Sequence, residues 1–344
     1  MKTQVHTDAA GFAALRQEWN PLLHNSAFDA IFLTWEWQST WWEHLGKGEL
    51  YLIAVRDGDS LSGIAPLYLT PADDGRNELS IVGCRDVSDY LDLIAASGQE
   101  EKVYGALLDW LGSDEAPAWD LADLCNIPAT SPTHSLLAEM AAGRGYKVHT
   151  EVEDICPIIP LPSTWDEYLA SLSKKQRHEI RRKIRRAEGG GQINWYIVNE
   201  ERDLAAEVDA FIELHQKSHV DKDEFMDDQM KGFFHAAAQV LYEAGWLQLA
   251  FMEINGNKAA TMLNFDYRDS ILVYNSGYDP HKYARLSPGI VLLSYCIQRA
   301  IELGRAEFDF LRGDEQYKFR FGAQPTEIYR LVIARSDDQI TSLF

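Results

Sequence analysis

Two stretches 197 residues apart carry the same layout, LYLIAVRDGDSLSGIAPLYLT at 50–70 and LQLAFMEINGNKAATMLNFDY at 247–267. Each holds two strand-like apolar runs around a turn, Asp57-Gly58-Asp59 in one and Asn255-Gly256 in the other. Residues of this kind in the turn supply the positive φ that joins two antiparallel strands tightly. Each hairpin is followed by a third strand (79–83; 271–277), a helix (101–111; 288–303) and a further strand (119–127; 306–311). Identity between the copies is low, so what repeats is the order of elements. That order constrains the chain to an α/β architecture with mixed sheets, built twice and set side by side. A length of 344 residues suits two domains. The expected division is 1–155 and 163–344, with the proline-broken stretch 156–162 as linker.

Flanking segments read as support. Helical periodicity runs over 12–23 and 32–45, the second containing Trp35, Trp37, Trp41 and Trp42. Such density fits a helix wedged into a core, with a ligand-stacking platform as the alternative. Helices are expected at 164–172 and 174–188, with Ser163 and Ser173 as N-caps. Two more are expected at 203–217 and 227–244, and a final strand at 327–334.

Charge is distributed unevenly. The net formal charge of −21, from 32 basic and 53 acidic residues, argues against general nucleic-acid binding. Positions 174–186 reverse the balance, with eight basic residues against one acid, Glu179. Lys174, Arg177, Arg181 and Arg185 follow helical spacing and form an expected anionic-ligand face; Lys175, Arg182 and Arg186 make a second row. A solvated face on an acidic protein is the plain alternative.

Cys84, Cys125, Cys156 and Cys296 are far apart in sequence and form no CxxC. His215 and His219 have a spacing that can bind metal, but no third ligand is evident, and His215 lies on the apolar face of its helix. No metal site is therefore expected. Four scattered thiols fit a reducing cytoplasm. No apolar run approaches the roughly 20 residues of a membrane helix, and the N-terminus lacks the layout of a signal peptide. A cytoplasmic protein without a membrane span is expected.

The stretch 278–323, YDPHKYARLSPGIVLLSYCIQRAIELGRAEFDFLRGDEQYKFRFGA, concentrates the reactive-looking side chains. Ser287-Pro288-Gly289 suits a helix start, with Ser as N-cap and Pro at the first helical position. The free amides that follow, with Arg285 nearby, could hold a phosphate; a plain capped helix is the alternative. At the matching place in the first copy stand Glu100 and Glu101, which favour the helix dipole but would repel a phosphate. The first copy is expected to be structural or acceptor-binding.

The segments SLSKKQRHEIRRKIRRAE (171–188), LSPGIVLLSYCIQRAIELG (286–304) and FDFLRGDEQYKFRFGA (308–323) resemble the BioF2-like or CelD/BcsL-like acetyltransferases of the GNAT superfamily. That group is related to the Fem peptidyltransferases. Weaker matches are the Trp35–Trp42 cluster, Ile64-Ala65-Pro66-Leu67 and Ser88-Asp89-Tyr90-Leu91-Asp92. The resemblance implies two tandem GNAT-like domains and acyl transfer from acetyl-CoA or another acyl-CoA to an amine or hydroxyl of a sugar, lipid or small molecule. In that fold Tyr317 would protonate the leaving thiolate. Arg285, Ser287, Gly289 and Lys318 would bind the donor, and one of the adjacent acids Asp314 and Glu315, or Asp279 as a rival, would act as base. The family's phosphate loop, R/Q-x-x-G-x-G/A, is incomplete: Arg285-Leu286-Ser287-Pro288-Gly289-Ile290 has one glycine. Fem relatives use aminoacyl-tRNA, so a tRNA-dependent peptidyl or lipid transferase is the alternative, with a non-catalytic glycan-pathway binding protein as a third reading.

Overall fold

Both hairpins form where the alternation places them, as Glu49–Asp57 with Ser60–Pro71 and as Leu247–Ile254 with Asn257–Tyr267. Asn255 and Gly256 both take positive φ, 52° and 75°, as a two-residue hairpin turn demands. The computed structural model describes residues 1–72, 75–84 and 87–336. They divide into two units: Met1–Asp154 with the strand residues from Thr326 onward, and Ile155–Pro325.

In the first unit the strand order is Lys2–His6, Glu49–Asp57, Ser60–Pro71, Asn77–Ile81, Leu121–Pro128, Gln324–Ala334, then Lys147–Pro160. The contact of Asn77–Ile81 with Leu121–Pro128 is parallel and spans Glu78–Ser80. The helix Glu100–Leu111 is the crossover between them. Tryptophans build the core: Trp19, Trp37 and Trp119 are almost wholly buried. Their indole N–H groups donate to Leu33 O, Ser88 Oγ and Leu111 O, so burial leaves none of the three unpaired. Beside this core Asp92 is buried and accepts from the Thr133 hydroxyl and the Leu93 amide.

The second unit repeats the plan with the order Ile193–Ile197, Leu247–Ile254, Asn257–Tyr267, Ser270–Tyr278, Glu307–Asp309, then the end of Lys147–Pro160. The crossover helix Pro288–Glu302 buries Val291, Leu292, Cys296, Ile297 and Ala300 against Ala250, Met252, Met262 and Ile271. On another helix, Leu204–Ser218, the backbone of Leu214 and His215 passes so close to Gly277 that a Cβ there would stand 2.4 Å from the His215 nitrogen. Only glycine permits that approach.

Several expectations are corrected. The stretch 156–162 is not a free linker, because strand Lys147–Pro160 runs through it as far as Pro160. The last strand, expected in the second domain, pairs with Leu121–Pro128 of the first unit. Arg330 on it makes a two-pronged ion pair with the buried Asp123, at 2.7 and 2.9 Å. Thr164, not Ser163, caps helix Trp165–Ser171, whereas Ser173 does cap Lys174–Gly190. Strand Lys2–His6 and the short helices Val220–Phe225 and Gln316–Arg320 carry too little periodicity to be read from sequence. Cys84 and Cys125 are joined in a disulfide, so the inference from four free thiols falls away; Cys156 and Cys296 are buried and in no disulfide. No helix among the described residues is long and apolar enough to cross a membrane.

Candidate active site

The site grows from a pairing that stops early. Strand Ser270–Tyr278 pairs in parallel with Glu307–Asp309 only over Ser270–Leu272, then continues to Tyr278 with that edge open. Ser276, Gly277 and Tyr278 on this stretch line a cavity of about 410 Å³. The start of helix Pro288–Glu302 closes one end through Ser287, Pro288, Gly289 and Ile290, and Tyr317 forms part of the wall.

The helix start has an unusual cap. Ser287 holds the left-handed conformation, φ 55°, and its side chain makes no capping hydrogen bond. Its hydroxyl instead accepts from Lys183 Nζ at 3.1 Å. The first-turn amides of Gly289 and Ile290 therefore receive no side-chain acceptor from the cap, and a Cβ added to Gly289 would meet nothing within 4 Å. Open space, undirected amides and an adjacent ammonium are what a helix N-terminus offers an anion.

Lys183 comes from the basic helix Lys174–Gly190, whose buried strip is Ile180 and Ala187 with the partly buried Ile184. On one flank of that strip, at four-residue spacing, lie Lys175, Glu179 and Lys183. These residues, with Ile290, Tyr317 and Arg320, line a second cavity of about 390 Å³. Ile290 and Tyr317 belong to both cavities. Burial, reinforced by nearby Glu315, pushes the Tyr317 phenol far above its ordinary range, so it keeps its proton at neutral pH.

Behind the open edge sits a polar group in which His215 was marked by the sequence and Lys222 was not. Lys222 donates to the Ser276 carbonyl, and burial lowers its pKa although Glu315 opposes this. The buried His215 meets Asn275 Oδ1 through Nε2 at 3.0 Å. Burial first, then the charge of Lys222, pushes His215 down to about 4, so it is neutral at pH 7. His219 caps helix Val220–Phe225 through the Asp221 amide.

Of the residues singled out from sequence, Ser287, Gly289 and Tyr317 are brought together at one cavity. The others stand elsewhere. Arg285 is exposed and lines neither cavity, its carbonyl accepting from Arg186 at 3.5 Å. Lys318 is buried, with Nζ on the carbonyls of Leu311, Arg312 and Gly313 and 2.9 Å from Glu315 Oε2; it clamps its own loop and has no proton left for a ligand. Asp279 accepts from the amides of Lys282 and His281, which hold it below the usual carboxylate range and make it a turn former and a poor base. Asp314 is exposed and lines neither cavity. Lys174, Arg177, Arg181 and Arg185 occupy the opposite flank of the basic helix and touch neither cavity; Arg177 donates to Leu169 O, and Arg181 stands 3.8 Å from Asp166. Lys175, Lys183 and Arg320 take the place expected of them. Helical spacing in the sequence marks both flanks equally, and only the packing of Lys183 on Ser287, 104 residues away, selects one.

Residues 174–319 match the profile of the acetyltransferase (GNAT) domain. The structure is similar over its whole length to the crystal structure of FemX, with a TM-score of 0.70, 12% identity and 100% of both chains covered. It is also similar to L-PGS from Bacillus licheniformis (TM-score 0.59, 12% identity, 95% of this chain and 96% of that one). A third likeness is to the C-terminal domain of a putative lysylphosphatidylglycerol synthetase from Agrobacterium fabrum (0.58, 10%, 98% and 95%). No curated protein matches the sequence. The segment that supplies nearly every wall of the two cavities thus matches the acetyltransferase (GNAT) domain, on a mixed α/β fold similar to that of FemX.

Proposed function

We propose that the chain is an acyltransferase of the BioF2-like kind, moving an acetyl or other acyl group from acyl-CoA to an amine or hydroxyl of a sugar, lipid or small-molecule acceptor. The observation that carries this reading is the single cavity running from an uncapped helix start to a half-buried, protonated tyrosine. A bound acyl thioester supplies an activated carbonyl and a thiol leaving group. The amides of Gly289 and Ile290, with Lys183 beside them, hold the donor's phosphates. The acceptor nitrogen or oxygen attacks the carbonyl carbon and forms the new bond. The Tyr317 hydroxyl gives its proton to the sulfur as the carbon–sulfur bond breaks, and the proton lost by the acceptor passes to solvent, from which Tyr317 is reprotonated. Apolar walls at Met262, Ile290 and Leu293 keep water from the carbonyl.

Calorimetry with acetyl-CoA and longer acyl-CoAs tests the donor. Binding is expected, weakened at least about tenfold by Lys183→Glu; absence of heat with every acyl-CoA would overturn the assignment. The whole-chain overlap with FemX favours a second reading, a Fem-type aminoacyl-tRNA-dependent transferase. Salt-sensitive binding of charged tRNA, with none of acyl-CoA, would select it.

A further inference from the structure

The second cavity has a chemistry of its own. Lys175, Lys183 and Arg320 bring three positive charges to a hollow floored by Ile180, Ile290 and Phe321. Its one acid, Glu179, accepts from Arg182 at 2.6 and 2.9 Å, and that cation, more than Lys183 or Lys175, holds the carboxyl below its usual range. Among the described residues Lys175 and Arg320 engage in no ion pair. A net positive hollow in a chain of net charge −21 stands out against its background. It meets the first cavity at Ile290 and Tyr317, so whatever fills it lies beside that tyrosine.

We propose that this basic hollow binds a phosphorylated group of a substrate, at a place beside the helix start, with Lys183 standing between the two. Its anion binding stands independently of the acyltransferase reading; its use in a reaction rests on that reading. Phosphate fits because two ammonium groups and a guanidinium line one hollow from two helices, while the apolar floor accommodates the carbon skeleton next to it. Two sources present this chemistry, the donor's own phosphates or a phosphate carried by the acceptor.

Inorganic pyrophosphate is the probe, titrated calorimetrically at low salt into the intact protein, with circular dichroism to confirm folding of each variant. Lys175→Glu with Arg320→Glu is expected to weaken binding at least tenfold. Lys174→Glu with Arg185→Glu makes the same change in charge on the opposite flank and is expected to weaken it less than about threefold. Equal losses in the two double variants, or no binding by the wild-type protein, would overturn the proposal. Repeating the titration with saturating coenzyme A separates the sources: unchanged affinity assigns the hollow to the acceptor, and displacement assigns it to the donor. Pyrophosphate binding without acyl-CoA binding would leave the hollow standing and remove the donor reading alone.

Discussion

The two units share a plan and differ at one joint. In the first, strand Asn77–Ile81 ends one residue beyond its parallel pairing at Ser80, and the crossover helix begins with Glu100 and Glu101. In the second, strand Ser270–Tyr278 overruns its pairing at Leu272, and the crossover helix begins with Ser287, Pro288 and Gly289 under a lysine. An overrun strand leaves an open edge beside the helix start, whereas a strand that stops with its pairing leaves none. A fold duplicated in topology can thus open a cavity in one copy and leave the same joint filled with acids in the other, through strand length and the charge of two or three residues.

The difference can be broken in graded steps. The largest effect is expected at Tyr317, the proposed proton donor in the second unit. Tyr317→Phe should lower kcat by about 100-fold or more with KM for the acyl donor nearly unchanged; an unchanged kcat would take Tyr317 out of the chemistry. Next, Gly289→Asp gives the second helix the acidic start of the first. Donor affinity measured by calorimetry should fall by about tenfold or more, while the melting temperature holds because the added Cβ enters open space.

A third test uses pH. His215 has a folded pKa near 4 against an ordinary 6.5, so its contribution to stability is present above pH 6.5 and lost as pH falls towards 4. Asp92 has the opposite sign. Burial pushes it up to about 6 from 3.8, against hydrogen bonds that pull it down, so its contribution is present below pH 3.8 and lost as pH rises through 6. The two slopes offset each other between pH 4 and 6, each worth roughly 1.4 kcal/mol per pH unit. Relative to wild type, Asp92→Asn should make stability rise more steeply with pH over that window, and His215→Gln should make it rise less. Thermal unfolding at pH 4.5 and 6.5 reads both, and parallel curves would sink the assignment. Smallest of all, Glu100→Ala with Glu101→Ala should cost about 0.5–1 kcal/mol of stability through the helix dipole and leave acyl transfer untouched.

Local pattern made much of this legible. The two hairpins follow from alternation and their turns, and the helix at Pro288 from the proline at its first position; Tyr317 stood out as the aromatic hydroxyl just past a strand end. Lys318, one residue further, was equally conspicuous, yet its ammonium turns inward to three carbonyls. Asp279 and Asp314 looked alike as acids near strand ends; one became a turn former and the other remained in solvent.

What the sequence by itself determined is the order and type of the longer elements, since propensity, turn chemistry and periodicity act within a few residues. The tertiary structure alone decided which flank of the basic helix lines a cavity, that Cys84 bonds Cys125, and that Arg330 carries the last strand to Asp123 in the first unit, 207 residues back. Each of these depends on close packing between segments distant in the chain, a geometry that no local pattern encodes.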